Sequence, residues 1–537
     1  MKPGARRAAA LATLALTAVA VPSALADSGT SRGPSTTKDP YVLPVGDGVH
    51  IKSLITTGDR PADNGYRFVG IPDGLGAVRD GDAVTVYANH ELRSNVGVVR
   101  RHGQKGAFVS KWSIDRRTQR VTSGSDLINP GVQFYNYVAQ TFGGTPSPGG
   151  ANPRLAGDIF PAQFAPFARF CSGSLTDPGQ LYNRESGRGY QGQLYFANEE
   201  NGDEGRLFGV TQDGDAKQLP RLGLFSWENT LVSRVRSDRT VVIGNEDGAA
   251  GPNGQLSVYV GVKSRKGDAF RRAGLTNGIR YVLDAENPAV KTDGDWRTTY
   301  GKGVAADVTF NEVDWDASGA RQNAEGLADG LGLNRIEDGA FDPKRPDDYY
   351  FVTTEGAPEP TVDDPSADHG GVWRLRFEDV EHPELGATLT LLLDGSETVG
   401  AGEAKLFKPD NFDIDRRGNL LIQEDPGGTK HLARIVAYRI RTGERKVIAR
   451  FDPAIFASGS TAPEATIDEE SSGIIDTSRS LGGSTFLFDA QVHRAYPTAT
   501  TPAGYTADPT GANVEFGQLL SLKVDWDTVW GEDDSDD

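Results

Sequence analysis

Six short apolar runs in this chain stop in the same way. "VTVYANHE" (84–91), "QLYFANEE" (193–200), "TVVIGNED" (240–247), "YYFVTTEG" (349–356), "LLIQED" (420–425) and "TFLFDAQVH" (485–493) each place strand-favouring residues ahead of Asn, Glu, Asp or His. Two are preceded by a second acidic run, in "NRIEDGAFDPKRPDDYYFVTTEG" (334–356) and "KPDNFDIDRRGNLLIQEDP" (408–426), where "FDPKRPDD" and "IDRRGN" read as turns between antiparallel neighbours. Acids are poor strand formers, so any single ending of this kind can be a mere stop. A sandwich gives no reason to gather six of them at one end. A β-propeller does, because its inner strands converge on a central channel and their ends ring one mouth. The expected fold is therefore all-β, a six-bladed β-propeller with long inserted loops near 143–192 and 357–400.

The start of the chain bounds where such a fold works. "MKPGARRAAALATLALTAVAVPSALADSGT" has a basic start, a short apolar run and a small-x-small site at Ala24-Leu25-Ala26. The expected organisation is a signal peptide over 1–26, a flexible leader over 27–40, one propeller domain over 41–527 and an acidic disordered tail over 528–537. Arg6-Arg7 leaves Sec and twin-arginine export both open. Cleavage removes three cations, leaving 53 Lys+Arg against 74 Asp+Glu and a net charge of −21. A phosphate-backbone partner needs the opposite sign, so nucleic acid is excluded as a partner. No later segment has the length and apolarity of a membrane span. A secreted protein, extracellular or in the cell envelope, monomeric and without a stable membrane anchor, is the expectation.

An exported protein usually pairs its cysteines or loses them, yet this one keeps a single one, Cys171, in "RFCSGSLTDPG" (169–179). A ring of carboxylates repels itself unless cations fill it. Hard oxygen ligands outside the cell suggest calcium, whereas a thiolate suits iron or zinc. A metal-held thiolate would account for Cys171. A buried thiol acting as a small hydrophobe is the alternative, and the polar turn Ser172-Gly173-Ser174 argues against it.

These residues resemble the PhoX alkaline phosphatases, exported phosphomonoesterases with a six-bladed propeller and a site of ferric and calcium ions held by carboxylates and one cysteine. The likeness runs discontinuously over about residues 80–430. Asn89-His90-Glu91 resembles the family's Asn-His-Glu and implies Glu91 as an iron ligand. Cys171-Ser172-Gly173 followed by "LYFANEE" is similar to its cysteine turn and Glu-Glu strand end, implying Cys171 and Glu200. Phe225-Ser226-Trp227-Glu228-Asn229 implies Glu228 as a ligand, and "VVIGNED" implies Asp247. Arg335-Ile336-Glu337-Asp338 resembles Arg-Pro-Glu-Asp, giving Arg335 as phosphate clamp and Glu337 as calcium ligand. Lys408-Pro409-Asp410-Asn411 resembles Arg-Pro-Asp-Asn and puts Asp410 on a cation. The chain departs from the family pattern at Trp227, at Ile336 and in lacking a Thr-Pro-Trp-Gly segment after the cysteine turn.

The resemblance implies metal-centred attack on phosphorus, with Arg335 and Glu337 as the catalytic pair, Fe3+ and Ca2+ as cofactors and a small phosphate ester as substrate. Planar guanidinium suits two equatorial phosphoryl oxygens, although Arg335 can equally be salt-bridged to Glu337 or Asp338. His90 and His493 are ligand or general-acid candidates, His90 also as a support for Glu91. Asp468, Glu469 and Glu470 read as a solvated acidic loop. No Gly-x-Ser-x-Gly elbow or Walker-type loop is present. Two alternatives remain: a calcium-dependent lactonase propeller, suggested by "FDIDRRGNLLI" (412–422), and a non-catalytic calcium-stabilised binding propeller.

Overall fold

A strand buried on both faces reads as a continuous apolar run, because alternate side chains enter different cores. "LYFA" does this. Tyr195 and Ala197 join one core with Tyr87 and Val109, while Leu194 and Phe196 join another with Val242 and Tyr259. "YYFV" repeats the arrangement, Tyr349 and Phe351 packing with Val241 and Ile243, Tyr350 and Val352 with Leu420 and Ile422.

The computed structural model describes residues 1, 29–61, 63–249, 251–354, 370–400, 402–500 and 504–531. The protein is an all-β propeller. Among the described residues its main sheets resolve into six blades of four strands in chain order, the third and fourth joined edge to edge through Ala305–Val313 and the fifth and sixth each extended by a further strand, Val42–Pro44 and Thr30–Arg32. The innermost strands are Pro72–Asp80, Phe170–Leu175, Trp227–Val232, Ile336–Phe341, Pro409–Ile414 and Glu469–Asp476. Each touches the next, and the last touches the first, so the ring closes. Val49–Thr56 pairs antiparallel with Glu515–Val524, so the sixth sheet is built from both ends of the fold.

The six runs singled out in the sequence are the second strands of the blades, not the innermost ones. The innermost strands carry acids and glycines, as in "PDGLGA", "FCSGSL" and "EESSGIID", and look like poor strands. All six share one irregularity, a register shift at Pro72/Leu75, Phe170/Gly173, Trp227/Thr230, Ile336/Gly339, Pro409/Phe412 and Ser472/Ile475. A bulge in every inner strand, after its first residue in the first five and mid-strand in the sixth, leaves residues unpaired and re-aims their side chains.

The amides that recur before the strand-end acids have a separate task. Asn89 Nδ2 donates to the Cys171 carbonyl at 2.8 Å, and Asn198 Nδ2 to the Ser172 carbonyl at 2.7 Å and the Glu228 carbonyl at 3.2 Å. Asn245 donates to the Glu337 carbonyl, and Gln423 to the Ser472 carbonyl at 3.1 Å. Each is a latch holding a bulge against the neighbouring blade. Asn198→Ala leaves those carbonyls and the Thr230 hydroxyl without this partner in a buried site. It is expected to cost about 2–4 kcal/mol, read as a lower urea midpoint with unchanged slope.

Several boundaries differ from expectation. Residues 29–40, expected as a flexible leader, include the strand Thr30–Arg32, which pairs parallel to Val49–Thr56. The helix Trp526–Trp530 runs past the expected domain end at 527 and buries Trp530, so the part of the tail through 531 is folded, while 532–537 lie outside the described residues. Within 143–192 lies an inner strand, Phe170–Leu175, and within 357–400 lie two outer strands of the fourth blade, Gly371–Phe377 and Ala387–Asp394. An unexpected excursion, 286–335, carries the helices Asp293–Thr299 and Gly319–Asp329. The signal-peptide segment 1–26 lies, but for Met1, outside the described residues. No helix among the described residues is long and apolar enough to cross a membrane.

Candidate metal centre

The shared bulge explains how five blades contribute to one place. Asp73, Cys171, Glu228, Glu337 and Asp410 occupy the same bulge position in the first five inner strands, and Gly473, with φ of 62°, occupies it in the sixth. The second strands supply another set through parity, since adjacent side chains on a strand point to opposite faces. His90, Glu199, Glu246 and Glu424 turn away. His90 bonds to Gly70 and Ser110, Glu199 pairs with Arg206, Glu246 accepts from Gln255 N, and Glu424 pairs with Arg434. The next residues, Glu91, Glu200, Asp247 and Asp425, together with His493, line a cavity of about 320 Å³ that also includes Cys171, Glu228, Arg335, Glu337 and Asp410. The corresponding acid of the fourth blade, Glu355, lies outside the described residues.

Within this region three sets of potential ligand atoms each lie within 4.8 Å of one another: Asp73, Glu91 and Cys171; Cys171, Glu200 and Glu228; Glu228, Glu337 and Asp410. Cys171 belongs to two sets and so does Glu228. The Cys171 thiol donates to Asp73 Oδ2 at 3.2 Å. Burial and then the carboxylates of Glu337, Asp410, Asp73 and Glu200 push Glu228 well above the ordinary carboxylate range. Burial and then Asp73 and Glu228 push the Cys171 thiol up likewise. Asp73 Oδ1 and Glu228 Oε1 are buried without a hydrogen-bond partner. Like charges at this spacing require cations, and these orphaned oxygens fit that role. Two sets include sulfur and the third is all oxygen, which are donor sets for unlike metals.

Two arginines brace the cavity. Arg169 pairs through Nε with Glu91 at 2.9 Å and also pairs with Glu200. Arg335 holds Asp247 bidentately, at 2.8 and 2.9 Å, and reaches Glu337 Oε1 at 3.2 Å. Both precede an inner strand with positive φ, 47° for Arg169 and 49° for Arg335. Such left-handed backbone in a non-glycine residue is uncommon and gathers at functional sites.

Residues 209–471 match the sequence family described as alkaline phosphatase PhoX. The chain is PhoX-like. The family is one of metal-dependent phosphatases, so this PhoX-like protein is in its broad class a phosphoric monoester hydrolase. Its fold is similar to that of Pseudomonas fluorescens PhoX solved in complex with vanadate, with a TM-score of 0.60, 14% identity, and coverage of 90% of this chain and 96% of that one. A GH93 α-L-arabinofuranosidase of Fusarium graminearum, solved with arabinobiose, aligns at a TM-score of 0.35 and 8% identity over 87% of this chain and 97% of that one. No curated protein sequence matches the chain.

The PhoX-like chain brings all eight residues that the resemblance named, Arg335, Glu337 and the six further ligand candidates, into one cavity. Asp247 differs from the others in its partner, since its carboxylate is engaged by Arg335 rather than grouped with the three ligand sets. His90 is fully buried, stacked on Phe108, and pulled down to about 3 chiefly by burial, so it neither lines the cavity nor supports Glu91. His493 lines the cavity, with Nδ1 3.0 Å from Glu515 and Nε2 3.9 Å from Glu470; burial opposes its charge, but these two carboxylates outweigh it and push it up to about 11. Glu469 and Glu470 are not a solvated loop: both are buried in the sixth inner strand, and Glu470 lines the cavity. Asp73, Arg169 and Asp425 were given no role from the sequence, and Glu470 was given the wrong one. "IPDG" (71–74) carries the same Pro-Asp pair as "KPDN" (408–411), a repeat that would have located Asp73.

Proposed function

We propose that this phosphatase hydrolyses small phosphomonoesters in the acid-lined cavity at the propeller mouth, with iron and calcium as its cations, after export from the cytoplasm. In the balanced reaction a water oxygen bonds to phosphorus as the ester P–O bond breaks. The electron pair leaves on the alcohol oxygen, which takes a proton from the water, giving alcohol and inorganic phosphate. The observation carrying the reading is the overlap of the three ligand sets at Cys171 and Glu228 beside the Arg335–Asp247 pair. Asp73, Glu91, Cys171, Glu200 and Glu228 offer the sulfur-containing donor set that suits iron, and Glu228, Glu337 and Asp410 the oxygen set that suits calcium. Bound cations would polarise phosphoryl oxygens and lower the pKa of water.

The side chains divide the remaining work. Arg335, fixed in plane by Asp247, presents its guanidinium edge to the transferring phosphoryl group. Arg169 orients Glu91 and Glu200, and the latches Asn89, Asn198 and Asn245 hold the bulges that carry Cys171, Glu228 and Glu337. The lactonase alternative does not call for a thiolate, whereas Cys171 belongs to two of the three ligand sets, which favours the phosphatase reading. Export rests on the basic-apolar-cleavage pattern of residues 1–26.

The test uses mature protein produced with iron and calcium present. Metal content and p-nitrophenyl phosphate turnover are measured on one preparation, before and after chelation. Iron and calcium with turnover, all lost on chelation and regained on reloading, is the expected result. A metal-free preparation with full turnover would overturn the reading.

A further inference from the structure

The cavity contains three arginines, and they are not equivalent. Arg169 and Arg335 are each tied to two carboxylates. Arg93 is exposed on the cavity wall, two residues past Glu91, and among the described residues its guanidinium has no ion-pair or hydrogen-bond partner. An arginine left uncommitted beside so many acids is the exception here, since the other two are neutralised by their own protein.

The wall around it also differs from the rest of the cavity. Ile71, Val96 and Val514 supply its apolar lining. Val96 and Val514 pack onto a small core of Val69, Leu92 and Phe108. Ile71 and Val514 hold φ of 50° and 61°, left-handed values that are outliers for β-branched side chains. The sector bearing Asp425, Asp468 and Glu470 would repel any anionic part of a substrate. Glu515, next to Val514, also lines the cavity, but its carboxylate lies 3.0 Å from His493 Nδ1, so the Arg93 wall still combines apolar surface with a cation that no carboxylate of the described residues engages.

We infer that Arg93, with Ile71, Val96 and Val514, forms a subsite for the leaving group, favouring phosphomonoesters whose apolar body carries a second anionic group, a carboxylate or phosphate. This rests on the phosphatase reading above. Arg93 is a specificity residue, and the transferring phosphoryl group is held elsewhere.

The test compares 4-carboxyphenyl phosphate with its neutral isostere 4-carbamoylphenyl phosphate. Values of kcat/KM are taken for the metal-loaded wild type, Arg93→Ala and Arg93→Lys. The wild type is expected to prefer the carboxylate ester. Arg93→Ala should cut that preference about tenfold, mainly through KM, with Arg93→Lys in between. Added salt should erode the wild-type preference, as it does for an exposed charge pair. A preference unchanged by Arg93→Ala would overturn the inference. So would an equal loss on both esters, which would make Arg93 a holder of the phosphoryl group. A wild type inert to both esters would instead overturn the phosphatase reading, and this inference with it.

Discussion

Cys171→Ser is expected to abolish iron binding and to lower phosphomonoester turnover by about 10³-fold, equivalent to ~4 kcal/mol of barrier. The size follows from position. Cys171 contributes to two of the three ligand sets, so one substitution removes the sulfur donor from both. A serine hydroxyl is neutral near pH 7 and cannot replace a thiolate on iron. Calcium should be lost to a smaller extent, because Glu228, Glu337 and Asp410 form a set without sulfur. Metal per chain and kcat from the same preparation check this. Full iron with full turnover in Cys171→Ser would reduce Cys171 to a packed thiol.

Glu228→Gln removes the other shared ligand and reports on the charge of the metal-free cluster. Burial and neighbouring acids raise the Glu228 pKa in the metal-free cluster. A carboxyl whose folded pKa lies above its unfolded value destabilises the fold once the pH rises above the unfolded value. The chelated wild type should therefore lose stability as the pH climbs above the ordinary carboxylate range. Chelated Glu228→Gln should lose less, even though it binds less metal.

Burial geometry governed which parts of this architecture were legible in the sequence. The second strands were visible because both of their faces are buried, giving runs such as "LYFA" and "YYFV". The innermost strands were hidden by the residues that line the channel, and "FCSGSL" and "EESSGIID" hold too many acids, serines and glycines to read as strands. Strand parity was available in principle. It separates Glu200 from Glu199 and Asp247 from Glu246, and it would have added Asp425, which follows Glu424 in the same way. Arg169 was not legible, because its role depends on meeting Glu91 and Glu200 from two different blades. Thr30–Arg32 was missed for a related reason: its polar composition suits a leader, and only the parallel pairing with Val49–Thr56 makes it a strand.

Arg335→Ala is expected to lower kcat/KM by about 10²–10³-fold while metal content stays near that of the wild type. The bidentate bond to Asp247 orients the guanidinium, and the contact to Glu337 places it beside the all-oxygen ligand set. Lysine at this position keeps a charge but loses the planar fork, so Arg335→Lys should recover only a small part of the rate. Asp247→Asn separates orientation from charge. It keeps the arginine but weakens the bond that fixes its plane, and a loss of about tenfold is expected. A transition-state clamp must also bind a transition-state analogue, so vanadate inhibition should weaken in step with kcat/KM along this series. If Arg335→Ala instead lost metal in proportion to activity, with unchanged turnover per loaded site, Arg335 would be a brace for Glu337 and not a phosphoryl clamp. That distinction is testable because the arginine touches Glu337 through one nitrogen that it also shares with Asp247, so removing Asp247's charge should strengthen bracing and weaken clamping at the same time.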